Sequence, residues 1–348
     1  MNFTSGKYQI IFLVTVMVYL LIHLVTLTSY PLPWYDETYM AAIGKAFLET
    51  GRFTKTVAYF TDTPTEDLRY GPMYFIVAAF VFKVLGFGIF QFRLIAFIAG
   101  IFTFWLSLKI YFTEKNNVLI AWCIIAVLAI DSFYFRCMHE GRMDLLASCF
   151  MLTAHLFILK VFHLNKKDKT ILKALFIAGF FAAISLLTSP RLGFALPLLF
   201  IYLLGFFIFK NPSLLLKALI SFLLPFVSIY SIWIFYAFGG YTHFINFYIE
   251  NLGYTRLNGY PFYFPKQQIP LLAICIISVF LGVLQKKGNY FTPLSIMALI
   301  NIASYYLVVY DNGPYASLIY PYLYIIIFIN FEGSFWKEAS EKIFKTSN

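Results

Sequence analysis

The sequence predicts an all-α polytopic membrane protein, and two features of the chain support this fold class. Of its 348 residues, 61% are hydrophobic and only 12% are charged, whereas a soluble domain carries about 25% charged residues. The apolar stretches are also far longer than the ~10 residues of a membrane-spanning β-strand, and they do not alternate. We therefore expect a bundle of transmembrane helices and exclude an ordinary soluble protein.

Ten apolar runs predict about ten transmembrane helices, because each crossing takes ~20 residues. The first run, 8–28, has no small-residue cleavage site after it, so we expect a retained helix and not a secretory signal. An additional candidate, Met73–Leu85, gives only ~20 Å of helix, which is too short for a ~30 Å hydrocarbon core. The remaining runs lie at about 92–112, 118–135, 144–163, 171–189, 191–209, 214–238, 269–284, 291–309 and 314–331.

The lysines orient the chain in the membrane. If 73–85 does not cross, most of the 19 lysines fall on one side together with Lys7, and this side is cytoplasmic by the positive-inside rule. We therefore expect 73–85 to be an interfacial or re-entrant helix. The net charge of +10 then reflects cytoplasmic loops and predicts no nucleic-acid partner.

This topology predicts one transmembrane domain over 1–348, with no separate soluble domain. A first outer loop at 30–91 contains interfacial helices, a second long outer loop lies at 239–268, and a cytoplasmic tail covers 333–348. Long loops of this kind are usually functional. The second loop is rich in aromatic residues, among them Tyr263, which predict either anchoring at the membrane interface or flat surfaces that cover a ligand.

The seven arginines all fall on the predicted outer side or at outer helix ends, which membrane orientation does not explain. A guanidinium binds phosphate or carboxylate groups with two parallel hydrogen bonds, so this set predicts a phosphate site. The alternative is that the arginines pair with outer acids such as Glu66, Asp67, Glu140 and Asp144. The seven are Arg52, Arg69, Arg93, Arg136, Arg142, Arg191 and Arg256.

Two acids, Asp36 and Glu37, follow the first helix at the start of a predicted short amphipathic helix that ends near Gly51. They are candidate catalytic groups at the level of the lipid headgroups, although one of them could simply cap the helix. The apolar face of this helix consists of Tyr39, Met40, Ile43 and Phe47.

A second concentration of charge lies in the predicted outer loop 131–144. His139, Glu140 and Asp144 could be read as metal ligands, but no second histidine is nearby, so the metal signal is weak. We expect no required cofactor, with a divalent metal as the weaker alternative. Asp144 stands at a predicted helix start, where an acid is favourable in any case. The charged residues of this loop are Asp131, Arg136, His139, Glu140, Arg142 and Asp144.

The order of several short motifs resembles the GT-C membrane glycosyltransferases of the protein O-mannosyltransferase and lipid A aminoarabinose transferase superfamily. The resemblance covers roughly residues 8–200, and more loosely 240–325. The motifs are Asp36-Glu37 in the first outer loop, Tyr70-Gly71-Pro72-Met73-Tyr74, Phe90-Gln91-Phe92-Arg93-Leu94, Arg142-Met143-Asp144-Leu145 and Thr188-Ser189-Pro190-Arg191.

The resemblance implies a GT-C-like fold and an inverting glycosyltransferase that takes a sugar from a polyprenyl-phosphate donor at the outer face of the membrane. It implies that Asp36 is the catalytic acid of the first loop and Asp144 that of the second. Tyr70 stands where many members have histidine, and Arg191 stands near the position of a family lysine. We assign Asp36, Glu37 and Asp144 to catalysis, and the substrate-binding candidates are Arg69, Tyr70, Arg93, Arg136, His139, Glu140, Arg142, Arg191 and Tyr263.

The residue chemistry fits this activity independently. A carboxylate takes the proton of an acceptor hydroxyl as its oxygen attacks the anomeric carbon, and a leaving phosphate needs charge stabilisation. The predicted partners are the lipid-linked donor, a glycan, lipid or protein acceptor, and membrane lipids, with the active site on the outer face of a prokaryotic plasma membrane. The alternative is a non-enzymatic transporter or lipid-linked-sugar flippase, which would place polar groups near the membrane midplane.

Overall fold

The computed structural model describes residues 6–33, 35–55, 65–66, 70–114, 118–163, 168–190, 195–247, 249, 269–284, 299, 302 and 320–331. Its first helices are α1 (Gly6–Thr26), α2 (Tyr35–Thr50), α3 (Met73–Leu85), α4 (Ile89–Glu114), α5 (Val118–Ile130) and α6 (Ser132–His139). They are followed by α7 (Met143–His163), α8 (Asp168–Thr188), α9 (Ala195–Lys210), α10 (Leu215–Phe238), α11 (Ile269–Leu284) and α12 (Tyr320–Phe331). Two short strands, Thr54–Lys55 and Thr65–Glu66, pair antiparallel.

The described part of the chain confirms a helical membrane protein. Four of its helical segments are long and apolar enough to cross a bilayer: Ile89–Thr113, Met143–Phe162, Asp168–Thr188 and Pro212–Phe238. A fifth is added if α5 and α6 form one bent span. The total of ten crossings stays a prediction, since the run 291–309 and much of 314–331 lie outside the described residues, as does the tail 333–348.

One predicted crossing, 118–135, is wrong as a continuous helix. The helix ends at Ile130, and α6 leaves at an angle of 66° to α5. The Asp131 carboxylate accepts a hydrogen bond of 2.8 Å from the backbone N–H of Tyr134 and so caps α6, which satisfies one of the donors that a helix start leaves open. The predicted outer loop 131–144 is therefore largely helical.

The predicted amphipathic helix is confirmed as α2. Met40 and Ile43 are fully buried, whereas Lys45 and Glu49 form an exposed ion pair of 3.7 Å on the other face. The helix ends at Thr50, and the following Gly51 has a φ of +72°, a conformation that glycine adopts without steric cost. The buried face of α2 packs mainly on α3.

The core of the bundle is formed by α4, α7, α8 and α10, in which α7 packs between α4 and α8 and α10 covers α8. A second apolar cluster lies at one end, where α2 and α3 meet the start of α4 and Trp233 of α10. This arrangement places the beginnings of α2, α3, α4 and α7 next to the end of α8. The sequence-predicted functional residues lie on these helix ends.

The contact between α8 and α10 depends on a glycine. A Cβ atom built on Gly179 would overlap the carbonyl oxygen of Phe222 and would touch the ring of Pro225. On α9, by contrast, a Cβ atom on Gly205 would meet nothing within 4 Å. The two glycines therefore form a matched pair, one required by close helix packing and one not.

We expect Gly179→Ala to destabilise the protein by about 1–3 kcal/mol, the usual cost of overpacking a core. Gly205→Ala should be neutral or slightly stabilising, because alanine is favoured over glycine inside a helix by about 1 kcal/mol. Thermal unfolding of both variants in detergent, followed by tryptophan fluorescence, tests this. Equal melting temperatures for the two variants would contradict the close contact.

Candidate active site

A buried ion pair joins the start of α2 to α4. Arg93 and Glu37 both have no exposed surface, and the guanidinium Nε and Nη2 donate to the two carboxylate oxygens at 2.8 and 2.7 Å. The Nη1 group donates to the carbonyl oxygens of Leu27 and Pro31, each at 2.8 Å. This bidentate pair fixes α2 and the segment after α1 to the beginning of α4.

These contacts involve two residues that the sequence assigned to the site. Arg93 uses all three of its nitrogens within the protein, and Glu37 is engaged through both oxygens. The assignment of Arg93 to substrate binding and that of Glu37 to catalysis stay predictions. The alternative considered from the sequence, that outer arginines pair with outer acids, holds for this pair.

The same glutamate also holds the segment between α6 and α7. The backbone N–H of Gly141 donates to Glu37 Oε1 at 2.6 Å. A Cβ atom on Gly141 would overlap the ring of Phe92, so only glycine allows this approach. As a result, the residues that follow, Arg142 and Asp144, lie next to the start of α2.

Arg142 connects the two acids that the resemblance singled out. Its Nη1 donates to Asp36 Oδ2 at 3.0 Å and its Nε donates to Asp144 Oδ2 at 3.2 Å. The hydroxyl of Ser189, just beyond the end of α8, donates to Asp144 Oδ1 at 3.2 Å. We call Asp36, Arg142, Asp144 and Ser189 the acid–arginine cluster.

Exposure distinguishes the members of the acid–arginine cluster. The side chains of Arg142 and Asp144 are 3% and 1% exposed, whereas that of Asp36 is 35% exposed. Asp36 is thus the accessible carboxylate of the cluster. It is held by the buried Arg142, which also contacts the buried Asp144. A base that must meet a substrate hydroxyl needs this accessibility.

The segment before α3 closes the site on another side. A Cβ atom on Gly71 would overlap the backbone of Leu187, so the 70–72 segment lies directly against the end of α8. Tyr70, predicted to bind substrate, is half-buried there. Tyr74 is fully buried; burial raises the pKa of its phenol well above the ordinary value, and the Glu37 and Asp144 carboxylates raise it further.

The structure places His139 against residues of α1 and α6. Its ring stacks on His23 and Phe135, its Nδ1 lies 2.9 Å from the Phe135 carbonyl oxygen, and its Nε2 lies 3.2 Å from the Thr26 hydroxyl. His139 therefore packs α6 against α1, and its assignment to substrate binding stays a prediction.

Arg136 on α6 forms an ion pair with Glu140, the residue that follows the end of this helix. Glu140 is buried, and burial raises the pKa of its carboxyl above the ordinary value, against the opposing effect of Arg136. This acid is paired and buried, and its assignment to substrate binding stays a prediction. The Arg136 side chain is 44% exposed, so a role in binding remains a prediction for this residue.

Three predicted substrate-binding residues, Arg69, Arg191 and Tyr263, lie outside the described residues, and their assignments stay predictions. Within the described residues, no three His, Cys, Asp or Glu side chains come together as a metal site. Sequence reasoning assigned no role to Gly141, Tyr74 or Ser189. Ser189 and Tyr74 belonged to motifs used for the resemblance, but neither motif indicated which of its residues would contact the acids.

Comparison with known proteins confirms the resemblance to the GT-C membrane glycosyltransferases. Residues 69–233 match the family model described as dolichyl-phosphate-mannose-protein mannosyltransferase. No curated protein matches the chain in a sequence search. The matched segment contains Arg93, Arg142, Asp144 and Ser189, and it begins after Asp36.

The fold is shared with ArnT from Cupriavidus metallidurans. The crystal structure of ArnT bound to undecaprenyl phosphate matches with a TM-score of 0.70 at 14% identity, over 99% of this chain and 63% of ArnT. The structure of ArnT in the apo state matches with a TM-score of 0.64 at 14% identity, over 98% of this chain and 62% of ArnT. This chain therefore spans less than two thirds of the length of ArnT.

We expect Glu37→Gln to destabilise the protein by about 3–5 kcal/mol, because it leaves the buried Arg93 charge uncompensated. Glu49→Gln on the same helix removes one partner of an exposed ion pair, which should cost less than about 1 kcal/mol. Thermal unfolding of both variants alongside the wild type measures the difference. If Glu37→Gln melts together with Glu49→Gln, the buried pair does not hold α2 in place.

Proposed function

We propose that this chain, with its GT-C family match over residues 69–233 and its ArnT-like fold, is an inverting glycosyltransferase that uses a polyprenyl-phosphate-linked sugar. Both comparisons support a glycosyltransferase of the GT-C type. The observation that carries the proposal is the acid–arginine cluster, in which one accessible carboxylate is held by a buried arginine at the end of a membrane bundle.

In the proposed reaction, Asp36 is the general base. Its carboxylate takes the proton from an acceptor hydroxyl while that oxygen attacks the anomeric carbon of the sugar. The bond between this carbon and the phosphate oxygen breaks, and the polyprenyl phosphate leaves with the electron pair. The hydrogen bond from Arg142 holds one oxygen of Asp36 at 3.0 Å, which fixes the carboxylate for the attack.

The leaving phosphate needs a positively charged partner, and two of the described arginines are already engaged with acids inside the protein. Arg93 is committed to Glu37, and Arg142 bridges two acids, so Arg142 acts mainly by positioning Asp36. Arg136 is paired but partly exposed. We therefore assign the phosphate contact to Arg136 together with Arg69 and Arg191. Arg191 follows the cluster residue Ser189 by two positions, a distance of at most about 7 Å along the chain.

The proposal also covers the donor lipid, the acceptor and the location of the site in the membrane. The structure of ArnT bound to undecaprenyl phosphate supports a long-chain polyprenyl phosphate as the lipid of the donor. The acceptor is a hydroxyl of a glycan, lipid or protein, and the reaction needs no cofactor. The proposed site is on the outer face of a prokaryotic plasma membrane, since the predicted cytoplasmic lysines lie on the opposite side.

Asp36→Asn tests the base directly. The amide keeps the size and the hydrogen-bonding ability of the side chain but takes no proton at neutral pH, so turnover should fall about 10²–10⁴-fold. The matched control is Asp168→Asn, the same change at an exposed acid in the first turn of α8, which should keep wild-type turnover. Turnover and melting temperature are measured on the same preparations. Turnover of Asp36→Asn within a few-fold of wild type would exclude Asp36 as the base.

Arg142→Lys tests the positioning of the base. Lysine keeps the charge, but its single nitrogen cannot reproduce the planar fork that contacts both acids. A displaced base typically costs about 10²-fold in rate, so we expect a loss of this size in kcat. The control is the reverse change at an exposed lysine of α2, Lys45→Arg, which should be silent. Full activity of Arg142→Lys would show that the bridge between Asp36 and Asp144 is not needed.

A further inference from the structure

The ion pair between Arg136 and Glu140 joins an accessible cation to a buried anion. The Arg136 side chain is 44% exposed, whereas that of Glu140 is 1% exposed. Arg136 donates to Glu140 Oε1 through Nε, and within the described residues its Nη1 and Nη2 groups donate to no other side chain. The guanidinium is therefore bound on one edge and open on the other, where two nitrogens can meet an external anion.

The backbone around Glu140 is fixed, which keeps its carboxylate in the interior. The Glu140 N–H donates to the Arg136 carbonyl oxygen at 3.0 Å, and the Glu140 carbonyl oxygen accepts from the Arg142 N–H at 2.7 Å. The N–H of the next residue, Gly141, is held by Glu37 Oε1 at 2.6 Å. Arg136, in contrast, lies on the exposed side of α6 and can turn toward a ligand while Glu140 stays where it is.

The compensation of the Glu140 charge depends on Arg136. Glu140 Oε2 is buried and has no hydrogen-bond partner among the described residues. Burial raises the pKa of this carboxyl, and Arg136 and then Arg142 oppose the increase. A buried carboxylate that loses its partner takes up a proton and becomes neutral. The other charged or titratable groups of the neighbouring elements are Arg142 before α7, Glu37 on α2, Arg93 on α4 and His139 on α6.

We propose that Glu140 is a positioning residue that holds Arg136 for the donor phosphate and takes up a proton from water when the phosphate binds this arginine. The inference rests on the proposed function, in which Arg136 contacts the phosphate. The phosphate and Glu140 compete for one guanidinium, and two anions at one guanidinium repel each other. Proton uptake removes this repulsion, so the substrate replaces an internal acid without leaving an unpaired charge in the interior.

The proposal determines the direction of a pH dependence. Glu140 loses its partner when the phosphate binds, so its pKa is higher in the complex than in the free protein. Phosphate binding is therefore strengthened as the pH falls through the interval between these two pKa values. Within this interval the Kd changes by up to about tenfold for each pH unit, which is the limit for uptake of one proton.

Glu140→Gln tests the proposal, with the methyl ester of undecaprenyl phosphate as the probe. This phosphodiester keeps a single charge, whereas a phosphomonoester gains its second charge near about pH 6 and would add its own pH dependence. The Kd is measured in detergent from about pH 5.5 to about pH 8.5. The matched control is Glu49→Gln, the same change at the exposed partner of Lys45.

We expect the Kd of the wild type and of Glu49→Gln to rise with pH. That of Glu140→Gln should be independent of pH and close to the lowest wild-type value, because Arg136 is already released. An unchanged pH dependence in Glu140→Gln, or binding by the wild type without any pH dependence, would overturn the role of Glu140 and leave the proposed function standing. A wild type that binds the probe at no pH would instead overturn the proposed function, and this inference with it.

A second measurement decides the case in which Glu140→Gln does not fold. Arg136→Gln removes the partner of Glu140 at an exposed position, and infrared spectroscopy follows the carboxyl groups. We expect a band of a protonated carboxyl at neutral pH that the wild type lacks and that disappears at high pH. A spectrum of Arg136→Gln with the same ionised carboxylates as the wild type would overturn the proposal.

Discussion

The charge of Arg93 has no contact with solvent, and its compensation by Glu37 determines how α2 and the segment before α7 are arranged at the start of α4. A buried guanidinium is tolerated only when its hydrogen bonds are satisfied, and here four acceptor atoms from α2 and the 27–31 segment meet it. These contacts hold the amphipathic helix α2 against the start of α4. Because Gly141 donates to the same carboxylate, the segment that leads into α7 is placed by the same pair.

The position of the candidate base follows from this arrangement. Asp36 directly precedes Glu37 in the first turn of α2, so the buried glutamate fixes the backbone from which the more exposed aspartate projects. Arg142 then meets Asp36 because Gly141 is held one residue before it. The two adjacent acids thus have different surroundings: Glu37 is removed from solvent and pairs with Arg93, and Asp36 is partly exposed.

Much of this could be predicted from the sequence, and the omissions have physical causes. Apolar length predicted the helices well, as at Ile269–Leu284, because the bilayer imposes a length on each crossing. The bend at Asp131 was missed because a capping aspartate inside an apolar run depends on local geometry. Similarly, the pattern of charges predicted that the arginines and several acids lie on one side of the membrane. Tertiary packing decides which acid each arginine contacts. Nothing in the sequence separated the buried Arg93 from the partly exposed Arg136.

The hydrogen bond between the Tyr324 hydroxyl and Asp131 Oδ2, 2.6 Å long, has a consequence for assembly during synthesis. Tyr324 follows Asp131 by 193 residues, so α12 is translated and inserted long after α5 and α6. The bend between α5 and α6 therefore gains this hydrogen bond only after α12 is inserted. A nascent chain that already contains Asp36, Arg142 and Asp144 still lacks this contact between the start of α6 and α12.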